Sequence, residues 1–94
     1  MHYFLKLIAS RPTFAMDMTD EERAIMNRHI AYWGERMAEG KVAVFGPVMD
    51  PAGPYGMGVV AAESEAEVQQ FTAEDPASAL LRYEFYPMRA VLPS

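Results

Sequence analysis

No cysteine occurs in the 94-residue sequence. That excludes a disulfide scaffold, thiolate catalysis and cysteine metal sites, and it fits a reducing compartment, so a cytoplasmic location is expected. Long apolar runs are also missing. Every uninterrupted apolar stretch falls far short of the roughly 20 residues a membrane span needs, and no charged start leads into an apolar run as in a signal peptide. Positive charge is scarce as well: eight Lys and Arg stand against thirteen Asp and Glu, for a net charge of −5. The eight are scattered, so a phosphate backbone would be repelled and nucleic acid is not an expected partner. Two histidines, His2 and His29, are the only imidazoles, and neither has a second ligand four residues on, so no metal is expected. No GxGxxG or Walker pattern is present; "GP" at 46–47 reads as a turn or bulge, and no nucleotide cofactor is expected.

What is there is a chain that is 51% apolar, enough for one modest core and so for one domain over residues 1–94. "HYFLKLIA" (2–9) alternates Tyr3, Leu5 and Leu7 with Phe4, Lys6 and Ile8, both sets largely apolar, which reads as a central strand covered on both sides. "SRPTFAMDM" follows as a loop. "TDEERAIMNRHIAYWGERMAEG" (19–40) is the clearest helix: Thr19 and Glu22 form a capping box, three acids suit the first turn, and Gly40 is placed to stop it. Gly34 in its interior costs about 1 kcal/mol relative to alanine and suggests a close neighbour at that turn. "KVAVFGPVMD" reads as a strand, "DPAGPYG" as a loop and "MGVVAAE" as a strand. Ser64 and Glu67 form a second capping box that opens the helix "SEAEVQQFTAE", which the Asp-Pro step ends. "LRYEFYPMRAV" alternates as a last strand.

The order βαββαβ implies an α+β, ferredoxin-like fold, a four-stranded antiparallel sheet with two helices on one face. Strand prolines belong on sheet edges, and Pro47 and Pro87 fall in the second and fourth strands, the edges of that topology. Helices on one side leave the other sheet face to water or a partner. With the first strand apolar on both faces, a homodimer packed sheet against sheet is the expectation, solvent-exposed aromatics the alternative.

His29 is the odd residue in the first long helix. At about 100° per residue, Ile25, Met26, Tyr32 and Trp33 lie within roughly 60° of it, while Asn27, Ala31, Glu35 and Ala38 fall on the far side. It therefore faces the sheet. A histidine so placed most often just satisfies a hydrogen bond in a core; the sharper reading is a general acid–base, which needs an acid to fix its tautomer and access to a pocket. Asp75, just before Pro76, is the candidate acid. Capping a helical turn with proline at its first position is the structural alternative, and one carboxylate can do both. Arg11 could bind a carboxylate or enolate oxygen or simply be a solvated loop arginine. Trp33 could stack on a planar ligand or belong to the core.

Three stretches, "YFLKLIASRP", "MTDEERAIMNRHIAYWGERMAEGKVAVFGP" and "AEDPAS…YEFYPMRAV", in this order and spacing, resemble the YCII-related (YciI-like) family over nearly the whole chain. The resemblance implies a ferredoxin-like domain that dimerises into an α/β barrel, and an active-site pair formed by His29 and Asp75. The combined expectation is a cofactor-independent enzyme of isomerase or lyase type. His29 shuttles a proton on a small cyclic or carbonyl-bearing molecule, Asp75 orients it, and Arg11 and Trp33 shape the pocket. The rival is a dimeric module that binds a small molecule without turnover.

Overall fold

The computed structural model describes residues 1–93. The elements run β1 (His2–Ala9), α1 (Phe14–Asp17), α2 (Asp20–Ala38), β2 (Val42–Val48), β3 (Tyr55–Ala61), α3 (Glu65–Glu74), a 3-10 turn (Pro76–Ala79) and β4 (Leu81–Met88). The strands form one antiparallel sheet in the order β2-β3-β1-β4, so β2 and β4, which carry Pro47 and Pro87, are the edges. This is the α+β, ferredoxin-like arrangement. No helix among the described residues is long and apolar enough to cross a membrane.

Alternation divides the sheet into two faces. Tyr3, Leu5 and Leu7 of β1 are buried beneath the helices together with Val42, Val60 and Trp33. Phe4, Lys6 and Ile8 point to the uncovered face and are only half-buried. That face carries charge as well as apolar surface: Lys6 Nζ sits 4.6 Å above the Tyr55 ring, and Arg82 pairs with Glu84 at 2.7 Å. A bulge shifts the β2–β3 register between Val42 and Val44, a device that twists an edge strand away from further pairing.

The α2 N-terminus forms the full capping box. The Thr19 hydroxyl accepts from the Glu22 N–H at 3.1 Å and the Glu22 carboxylate from the Thr19 N–H at 2.9 Å. At α3 only half of the second box forms. Ser64 accepts from the Glu67 N–H, but the Glu67 carboxylate reaches one residue further back, to the Glu63 N–H at 3.1 Å. Two further expectations are corrected. Residues expected as loop contain α1, a single helical turn held by the Thr13 hydroxyl, which donates to Asp17 at 2.6 Å, and by burial of Phe14. Four residues carry no periodicity, which is why the pattern is silent there. At Gly34 nothing among the described residues, its own stretch of helix backbone aside, lies within 4 Å of where a Cβ would stand, so no close neighbour explains it.

The close approach is instead at Gly58. A Cβ there would stand 2.6 Å from Trp33 Cη2, so the bare β3 backbone is the seat of the indole. Gly58→Ala is therefore expected to cost about 2 kcal/mol by overpacking, read as a lowered melting temperature, whereas Gly34→Ala should not destabilise.

Candidate active site

The site grows from the end of α3. Pro76 prevents the helix from continuing, and Asp75 turns to extended geometry (φ −65°, ψ 128°). It then caps the following 3-10 turn, with Oδ1 accepting from the Ala77 N–H at 2.9 Å. The cap fixes the carboxylate and turns the rest of it into the core. There it lies 2.9 Å from His29 Nδ1 through each oxygen, and Oδ2 accepts from Trp33 Nε1–H at 2.8 Å and from the Tyr83 hydroxyl at 2.9 Å. The two residues, 46 apart in sequence, meet with Asp75 only 1% exposed and His29 7% exposed. The capping and pairing roles of Asp75 coexist.

Burial by itself pushes the Asp75 carboxyl up; the hydrogen bonds from His29, the Ala77 N–H and Trp33 and the charge of His29 outweigh it and hold the group below the ordinary carboxyl range. Burial, the Asp75 charge and the shared hydrogen bond push the Tyr83 phenol well up, so it stays protonated and remains a donor. An ionised Asp75 can only accept, so Nδ1 of the neutral imidazole carries the proton and Nε2 the lone pair. A carboxyl with a depressed native pKa contributes stability that is fully present above its unfolded value, about 3.9 for Asp. That contribution is lost as pH falls through the lower native value. Melting temperature should accordingly fall below about pH 4 by more in the wild type than in Asp75→Asn, where the side chain at this position does not titrate.

His29 lines a cleft of about 510 Å³ at the sheet end where β1 finishes and β4 begins. Among the described residues no sealed side-chain nitrogen or oxygen lacks a partner, and no protein group bonds Nε2, so this atom opens on the cleft. Arg11 is in the wall, but four of its five N–H donors are already used. Nε and Nη2 bind the Asp17 carboxylate and carbonyl, and Nη1 and Nη2 bind the Glu22 carboxylate at 3.0 and 2.8 Å. The arginine holds Glu22 down to about 2 and ties α1 to the first turn of α2. Trp33 borders the cleft with 0% of its surface exposed, and its polar atom is turned to Asp75. The structure thus unites His29, Asp75 and Trp33, and leaves Arg11 in a separate ionic cluster.

Sequence reasoning missed Tyr83. Its signal was available: the alternation of β4 puts Tyr83 on the helix-facing side opposite Leu7, and a tyrosine on a buried face needs a partner for its hydroxyl.

Fold and site together define a ferredoxin-like domain in which a buried His–Asp pair opens on an apolar cleft. The chain belongs to the YCII-related domain family, whose model matches residues 2–91. None of the curated proteins compared matches it. Among solved structures it is similar to 5-chloro-2-hydroxyhydroquinone dehydrochlorinase (TftG) from Burkholderia phenoliruptrix, in complex with 2,5-dihydroxybenzoquinone. The identity is 23%, the TM-score 0.67, and 93% of each chain is covered. At that identity the likeness speaks for the fold.

Proposed function

We propose that the protein is a cofactor-independent enzyme that moves a proton on a small cyclic or carbonyl-bearing molecule, in an isomerisation or elimination. The observation that carries this reading is His29 in the wall of an apolar cleft with Nδ1 held by Asp75, which leaves Nε2 as the atom free to act as base. An acidic C–H or O–H of the substrate gives its proton to Nε2. The electron pair left behind conjugates into a carbonyl, to be reprotonated elsewhere, or expels a leaving anion. Asp75 stabilises the imidazolium that forms. Trp33 and Arg11 shape the cleft, the first by fixing Asp75, the second by tying α1 over the opening. The similar dehydrochlorinase acts on a chlorinated hydroxyhydroquinone, which makes hydroxylated quinones and hydroquinones the first compounds to try.

The test is proton exchange. Incubated in D2O with such compounds, the protein should speed loss of a carbon-bound ring hydrogen seen by proton NMR, and His29→Gln should not. Binding without exchange in the wild type would favour the rival, a module that holds the ligand without turning it over.

We also propose that two copies associate through the uncovered sheet face, where Phe4 and Ile8 are half-buried and Val44 and Tyr86 are 49% and 52% exposed. Light scattering should give the mass of a dimer, and Phe4→Glu, which places a charge in that face, should give a monomer. The cysteine-free composition fits work in the cytoplasm.

A further inference from the structure

The cleft is larger and more apolar than a single dihydroxyquinone ring, the ligand that the similar dehydrochlorinase carries, would need. One benzene fills an engineered cavity of about 150 Å³, and this cleft offers about 510 Å³. Its floor crosses the whole sheet end, from Leu81 of β4 over Leu7 of β1 and Gly56 of β3 to Pro47 of β2. Three strand spacings of about 4.8 Å make that roughly 14 Å, about twice the length of a single ring. His29 stands towards the β4 end, since Asp75 ties it to Tyr83 of that strand. Beyond it the lining is apolar apart from Arg11 and Tyr55. Among the described residues no lysine lines the cleft, and the one arginine that does is neutralised by Asp17 and Glu22. A phosphorylated or otherwise multiply charged compound would lose hydration there with no cation to replace it. Gly56 keeps the middle of the floor low, and Met26 and Met49 give walls that adapt to shape.

We propose that the ligand of this cleft is an apolar molecule longer than one aromatic ring, a fused bicycle or a ring with an apolar side chain, bearing at most one ionisable group. The acidic end lies at His29 Nε2 and the apolar end runs over Gly56 towards Pro47 and Met49. This rests on the proposed function for the chemistry at Nε2, whereas the size and polarity of the ligand follow from the cleft alone.

Calorimetric titration with 2-hydroxy-1,4-benzoquinone and 2-hydroxy-1,4-naphthoquinone separates the possibilities, because the two present the same acidic group and differ by one fused ring. The bicycle is expected to bind 10- to 100-fold tighter, on the order of what four further buried carbons contribute. Gly56→Val, which raises the floor, should erase that advantage. Ala15→Leu, on the exposed helical turn over the opening, should reduce it without touching the core. Equal affinities, or an advantage that survives both substitutions, overturn the inference. If the single ring shows exchange that depends on His29 while the bicycle gains nothing, the inference fails and the proposed function stands. If neither compound binds, both fail.

Discussion

Asp75→Asn should lower the folding stability by about 3 kcal/mol, the scale on which one buried donor loses its partner and a buried ionic contact loses its charge. The carboxylate accepts at both oxygens, and the four groups around it are not equally adaptable. The Tyr83 hydroxyl can rotate and the His29 ring can exchange tautomers. The Ala77 N–H at Oδ1 and the Trp33 N–H at Oδ2 can do neither. An amide offers one oxygen and one NH2, so whichever way the substituted side chain turns, one of these two fixed donors faces another donor. For a domain of this size 1 kcal/mol corresponds to about 4–8 °C, so the melting temperature should fall by roughly 12–24 °C. Tyr83→Phe removes a donor and leaves the other three in place, so its cost should be nearer 1 kcal/mol. A loss for Asp75→Asn no larger than that for Tyr83→Phe would mean the carboxylate is not the hub described.

His29→Gln should behave in the opposite way, leaving the fold and removing the chemistry. Asp75 keeps Trp33, Ala77 and Tyr83 as donors, and a glutamine amide can reach towards the vacated position, so the melting temperature should move little. Proton transfer by a positioned side chain contributes about 10²–10⁴-fold. The exchange rate with a hydroxylated quinone should fall by that factor while affinity, which comes from the apolar walls, stays within a few-fold. A drop in affinity equal to the drop in rate would mean His29 binds the ligand and does not act on it.

Much of this was legible in the residues, and unevenly so. The two strand prolines located the sheet edges because a missing N–H is tolerated only there. The orientation of His29 followed from helical periodicity alone: Ile25, Met26, Tyr32 and Trp33 are at least partly buried, and Asn27, Ala31, Glu35 and Ala38 are exposed. The meeting of His29 with Asp75 was implied by the family resemblance, but periodicity has no hold on it, because it depends on how α2 lies against the 3-10 turn that Asp75 caps. The alternation of β4 did place Tyr83 on the buried face; the same long-range geometry hid only which group its hydroxyl meets, and the reason Trp33 is where it is. An indole beside a histidine reads equally as a stacking surface or as core; only the bare backbone at Gly58 and the bond to Asp75 distinguish them. Gly34 misled for the converse reason, since a costly residue in a helix invites a packing explanation that this turn does not have. Arg11 illustrates a further limit. Its charge was visible, but not that Asp17 and Glu22, brought close by a helical turn of four residues, would occupy it.

The central claim is that Asp75 fixes the proton of His29 on Nδ1 and turns the Nε2 lone pair to the cleft. Nitrogen-15 NMR of histidine-labelled protein in mildly alkaline buffer reads this directly, without a substrate. The expected spectrum has a protonated, pyrrole-type Nδ1 and an unprotonated, pyridine-type Nε2 for His29, with the preference weakened in Asp75→Asn. A wild-type His29 with its proton on Nε2 would contradict the claim, because the ring would then present a donor to the cleft and have no base to offer.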